Sequence, residues 1–127
     1  MTLEPVVTSE PVVNSEDVVT SKPVVTLEGV NKTYHAGIID THAAFDVNLT
    51  INKGEFTSIV GPSGSGKTTL INLIGGLDTA DNGTIFVEDR EITAVSEREL
   101  SEIRLWKIGF IFQAYNLIPV LTALENV

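Results

Sequence analysis

Three observations predict an α/β fold for this chain of 127 residues. Residues 61–68 read GPSGSGKT, a glycine-rich loop between two apolar runs. The run before it, EFTSIV at 55–60, is short and β-branched and suits a buried strand. The run after it, TTLINLI at 68–74, ends at Gly75 and Gly76 and suits a helix with a glycine stop. Upstream, Phe45, Val47, Leu49 and Ile51 alternate with Asp46, Asn48 and Thr50, which predicts a half-buried strand.

Taken in order, the chain opens on a repeat of six residues: PVVTSE at 5–10, PVVNSE at 11–16, DVVTSK at 17–22 and PVVTLE at 23–28. Recurring prolines remove backbone donors and oppose helix and central strand, so residues 1–23 are expected to be an acidic, disordered or extended tail. The Val-Val-Thr text also suits β structure, so a partner-binding strand is the alternative. The last hexad runs into a strand at 24–30, as if the tail had arisen by duplication of that strand's start. Residues 52–54 turn into the strand before the loop, and residues 81–83 turn into another strand at 84–87. Ser96 with Glu99 forms a capping box for a helix running to about Trp106, with Leu100, Ile103 and the stem of Lys107 inward. Residues 108–112 read as a buried strand ending at Gln113. Thr122 with Glu125 is a second capping box, and because one turn of helix cannot stand alone, the chain reads as truncated.

Composition narrows the function. A net charge of −9 argues against nucleic acid as a main partner. No cysteine is present, which excludes disulfides, thiol chemistry and cysteine-based zinc sites. No apolar stretch is long enough to cross a bilayer as a helix. His35 and His42 have no second ligand at metal-binding spacing and are expected in surface loops.

The glycine-rich loop carries the chemistry. Residues 61–68 fit G-x-x-x-x-G-K-[ST], the phosphate-binding loop of nucleoside triphosphatases. Glycines let backbone N–H groups converge on phosphate oxygens, and the following helix adds its positive end. Lys67 would bring a charge to the β- and γ-phosphates, and Thr68 a hydroxyl to Mg²⁺.

Residues 33–34 after the first strand, the loop from Gly61 to Leu70, the GGLD at 75–78 and the stretch KIGFIFQAYNLIPVLTALENV at 107–127 together resemble ATP-binding cassette (ABC) transporter ATPases, on the branch that includes lipoprotein-release and macrolide-export ATPases. The resemblance covers residues 24–127, all but the repeat. It implies a P-loop NTPase of the ABC ATPase type, truncated, with an N-terminal antiparallel β subdomain. It further implies that Gly61, Ser63, Gly64, Ser65, Gly66, Lys67, Thr68 and Thr69 hold the phosphates of ATP, with Lys67 also counted among the catalytic groups. Tyr34 would stack on adenine. Gln113 would serve as the Q-loop residue, coordinating Mg²⁺ with Thr68 or positioning the attacking water. Residues 114–127 resemble the part that docks on a transmembrane permease, although Leu117, Ile118, Val120 and Leu121 equally suit a core.

The resemblance places the protein peripherally on the cytoplasmic face of a membrane, with a second ATP-binding subunit completing a head-to-tail dimer. Ala44, Phe45 and Trp106 depart from the family's usual residue types. The Walker B Asp-Glu pair, the LSGGQ signature and the switch His do not occur in the 127 residues, so this chain alone is expected not to hydrolyse ATP. The alternatives are a non-catalytic nucleotide-binding module or decaying gene fragment, and a non-transport ABC protein of DNA repair or translation.

Overall fold

A computed structural model describes residues 6–10, 22–36, 39–112 and 118–126. Two antiparallel sheets and two helices make up the described part. The elements in order are β1 (Val6–Glu10), β2 (Pro23–Ala36), β3 (Ile39–Asn52), β4 (Phe56–Val60), α1 (Lys67–Ile74), β5 (Asn82–Val87), β6 (Arg90–Glu91) and α2 (Glu97–Lys107). One sheet has the order β3-β2-β5-β6, and the other pairs β1 with β4.

Strands β2 and β3 form a hairpin longer than the sequence predicts, because the pairing runs on through Tyr34↔Thr41 to Ala36↔Ile39. His35 and His42 are therefore strand residues, not loop residues, although both side chains are exposed. His35 Nδ1 lies 2.7 Å from Asp40 Oδ1, and His42 Nδ1 lies 3.0 Å from Thr33 Oγ1. The hydrogen bond and charge of Asp40 hold the His35 pKa above 6.5.

The register of the hairpin shifts at four places, one of them a bulge at Asp46. Val30 faces Val47 but Lys32 faces Ala44, so β3 has one residue more than β2 in that step. Asp46 takes up the excess with φ 46°. The polar groups there satisfy each other: Gly29 N donates to Asn48 Oδ1 (2.9 Å) and Asp46 N donates to Asn31 Oδ1 (3.0 Å). The bulge also reverses the side-chain phase. Val47, Leu49 and Ile51 turn inward as predicted, but Ala44 takes the buried position and Phe45 is 68% exposed.

Leu27 and Val30 of β2, Ala44 of β3, Ile85 and Val87 of β5, Ile92, Leu70 and Leu73 of α1, and Leu100 and Ile103 of α2 form the core. The predicted capping box of α2 is present: Glu99 N donates to Ser96 Oγ (3.4 Å) and Ser96 N to Glu99 Oε2 (3.0 Å). Arg104 ties α2 to the end of α1 by donating to Gly76 O at 2.8 Å. Lys107 does not join the inner stripe; its ammonium pairs with Glu88 at 2.8 Å.

Four segments differ from expectation. Five residues of the tail expected to be disordered or extended, with a strand as the alternative, Val6–Glu10, form β1 against β4 in an unbroken register. β4 is exposed on one face, with Phe56 and Val60 outward, because no described element packs over that face, and β1 is its sole neighbouring strand among the described residues. Residues 108–112 pair with no strand among the described residues; Ile108 N caps α2 by donating to Arg104 O at 3.3 Å, Ile111 is fully exposed, and the Phe110 and Phe112 rings stack at 5.5 Å. The second capping box forms its hydrogen bonds, Thr122 N to Glu125 Oε2 at 2.8 Å, within turns rather than a helix.

Candidate nucleotide site

The glycine-rich loop leaves β4 at Val60 and enters α1 at Lys67. Gly64 and Gly66 both adopt left-handed φ, 82° and 85°. Their surroundings differ. A Cβ on Gly64 would meet open space, whereas one on Gly66 would stand 2.1 Å from Ala43 O. The loop is thus pressed against β3 at Gly66 and free at Gly64. Ser65 between them is buried, and its N–H donates to Pro62 O at 3.3 Å.

Lys67 folds back across the loop. Its ammonium donates to Gly61 O (2.9 Å), Pro62 O (2.7 Å) and Ser65 Oγ (3.4 Å), joining the loop's start to its end. It is the one charged residue between Glu55 and Asp78. Gly66, the N-cap of α1, provides no side-chain hydrogen bond, and the first turn holds no acidic residue. The first-turn amides of a helix have no intrahelical acceptor, and this end carries the positive pole. Amides, one ammonium, and the hydroxyls of Ser65, Thr68 and Thr69, with no carboxylate among them, make a donor set that fits a phosphate group.

Tyr34 reaches this site from the hairpin. Its hydroxyl donates to Asp78 Oδ2 at 2.6 Å and stands 3.5 Å from Thr69 Oγ1 on α1. Lys32, two residues earlier on β2, lies 5.3 Å from the centre of the Tyr34 ring, pairs with Asp78 at 3.0 Å and donates to Thr79 O at 2.8 Å. Charges shift accordingly. The hydrogen bond to Asp78 raises both the Tyr34 and the Lys32 pKa. Burial pushes Asp78 upward, but hydrogen bonds from Tyr34, Lys32 and the Thr79 amide outweigh it and hold the carboxyl below 3.8.

The fold therefore brings together Gly61, Ser63, Gly64, Ser65, Gly66, Lys67, Thr68 and Thr69 as one loop and helix start, with Tyr34 beside it. Gln113 lies outside the described residues. Sequence reading missed Lys32 and Asp78 as the groups that hold Tyr34. The available signal was the placement of Lys32 and Tyr34 two apart on one strand, hence on one face, and an Asp just past the helix stop.

The family model described as ABC transporter matches residues 44–126. The ABC transporter ATP-binding protein MJ0796 of Methanocaldococcus jannaschii is 50% identical over 101 residues, 80% of this chain and 43% of that protein. The lipoprotein-releasing system ATP-binding protein LolD of Anaeromyxobacter dehalogenans is 46% identical over 80% of this chain and 42% of its own length. The macrolide export ATP-binding/permease protein MacB of Pasteurella multocida is likewise 46% identical, with 16% of its length covered. Among solved structures, a dimeric post-hydrolysis state of the MJ0796 cassette bound to ADP and Pi matches with a TM-score of 0.73 and 48% identity, covering 81% of this chain and 44% of that one. This chain spans less than half the length of MJ0796 and LolD. With a glycine-rich loop opening a helix, an antiparallel β subdomain packed on that loop, and a family match over most of its residues, the chain belongs to the ABC transporter ATP-binding family.

Proposed function

We propose that residues 24–127 are the nucleotide-binding part of an ABC transporter ATP-binding subunit, which binds MgATP to power export or lipoprotein release. The observation that carries this reading is the loop: an uncapped helix start, left-handed glycines and a lone lysine in an otherwise uncharged stretch. Gly61, Ser63, Gly64, Ser65 and Gly66 present amides, Lys67 holds the β- and γ-phosphates, and Thr68 offers its hydroxyl to Mg²⁺. Thr69 joins them in holding the phosphates, and the Tyr34 ring stacks on adenine while Asp78 and Lys32 hold it upright. Gln113 links the site to a membrane partner. The bound nucleotide supplies a phosphoanhydride bond whose cleavage drives transport in the complete protein.

The likeness to MacB and LolD supports a transmembrane permease as partner, and the dimeric MJ0796 cassette supports a second ATP-binding subunit. Both partners imply a position on the cytoplasmic face of a membrane. No helix of the described residues is long and apolar enough to cross one.

Equilibrium binding of a fluorescent ATP analogue with Mg²⁺ tests the reading. A charge-assisted hydrogen bond is worth about 1.5–3 kcal/mol, so Lys67→Ala should weaken binding roughly 10- to 100-fold with unchanged circular dichroism. Tyr34→Ala should weaken ATP binding more than binding of inorganic triphosphate. Equal affinity of wild type and K67A would overturn the assignment.

A further inference from the structure

Tyr34 is anchored at its tip, where the hydroxyl donates to Asp78 Oδ2 at 2.6 Å and stands 3.5 Å from Thr69 Oγ1. A bond at that atom lies on the long axis of the ring. It fixes where the ring ends but lets the ring turn about the Cβ–Oη line. Stacking depends on the orientation of the plane, so a second group must act on a ring face.

Lys32 is that group. It stands two positions earlier on β2, on the same face of the strand. Its ammonium lies over the Tyr34 ring, 5.3 Å from the centroid, within cation–π range. The turn between α1 and β5 holds the ammonium there: Asp78 Oδ1 is at 3.0 Å, Thr79 O at 2.8 Å and Asp81 Oδ1 at 3.7 Å. Asp81 is itself tied to β2, since Thr33 N donates to its Oδ2 at 2.6 Å. The hydrogen bond to Asp78 holds the Lys32 pKa above 10.5, so the group is charged at neutral pH. The Lys32 side chain is 12% exposed and Tyr34 is 38% exposed. The ring face opposite the ammonium is therefore the one a base can reach.

We propose that Lys32 is a positioning residue for base stacking: Asp78 fixes the tip of Tyr34, Lys32 fixes its plane, and a nucleobase is received on the opposite face alone. This rests on the reading of Tyr34 as the adenine platform, and it names the group that orients the platform. The charge is what matters, because an uncharged side chain of similar length fills the space without attracting the π face.

Calorimetric titration of the full chain with the Mg²⁺ complexes of ATP and of inorganic triphosphate separates base binding from phosphate binding. The ratio of the two affinities reports stacking, since the charge lost with Lys32 acts on both ligands alike. Lys32→Met keeps the apolar stem, and Lys32→Gln keeps a donor for Asp78; both remove the charge. Each should lower the ATP-to-triphosphate affinity ratio at least about threefold. Lys32→Arg keeps a cation over the ring and should retain the wild-type ratio. Circular dichroism shows which variants fold, and the glutamine variant is read if the methionine one does not.

Tyr34→Ala sets the floor. If that variant keeps the wild-type ratio, Tyr34 is not the adenine platform, and the functional reading of it fails together with this inference. If Tyr34→Ala lowers the ratio while the uncharged Lys32 variants keep it, the inference alone is overturned. An arginine variant that loses the ratio as fully as the methionine one would overturn it too, because packing rather than charge would then set the plane.

Discussion

Asp78 shows how much a single residue carries at this site. Its carboxylate accepts the Tyr34 hydroxyl, pairs with Lys32 and takes the Thr79 amide, joining β2 to the turn after α1. Removing it leaves the Lys32 ammonium, nearly buried, without its nearest counter-charge. Asp78→Ala should therefore cost about 1.5–3 kcal/mol in urea unfolding, within the range for hydrogen bonds to charged groups. Asp78→Asn separates charge from shape. The folded carboxyl titrates below 3.8, so its contribution is present above that value and is lost as pH falls through the lower folded pKa. Wild type should lose this increment in acid and D78N should show no such loss; parallel pH–stability curves would refute the role. The loop residues were legible in the sequence because their motif is contiguous. Asp78 was not, since its bond to Tyr34 spans 44 positions and only the folded chain sets the two side by side.

At the scale of elements, two glycines of one motif predict opposite tolerance. Gly64 and Gly66 have nearly the same φ, so an alanine at either pays a left-handed penalty of about 1–2 kcal/mol. At Gly66 the new Cβ would also collide with Ala43 O, an immovable backbone atom of β3. Gly66→Ala should thus be more destabilising than Gly64→Ala by about 1–3 kcal/mol, read as a difference in urea midpoints, as expected of overpacking. Equal effects would mean that the loop does not rest on β3. Strand existence was largely readable from alternation and β-branching, and both helices from their stops and caps. Phase was not. One bulge residue, Asp46, sends Phe45 outward, and no pattern in residues 45–51 announces it. The run at 108–112 has strand composition but no strand beside it, and composition alone does not supply a ladder.

Over the whole molecule, the two sheets are unequal in support. The four-stranded sheet shares a core with α1 and α2. Among the described residues β4 gives Ile59 to the periphery of the main core and turns Phe56 and Val60 outward. A two-stranded ribbon is marginal in water, so it belongs among the parts of a protein that open before the rest. The amides of Thr57 and Ile59 should therefore exchange with solvent roughly 100-fold faster than those of Leu27 and Ile85, a difference of about 2.7 kcal/mol in opening free energy. The proposed nucleotide site hangs from this weaker unit, because β4 ends where the glycine-rich loop begins. A ligand that binds the closed loop stabilises whatever must be folded to form it. MgATP should thus slow exchange in β4 by a larger factor than in β2 and β5, measured by hydrogen-exchange mass spectrometry at saturating nucleotide. Equal exchange of the two sheets without ligand would show that the molecule opens as a single unit, and the ribbon would lose its standing as a separately stabilised support for the loop.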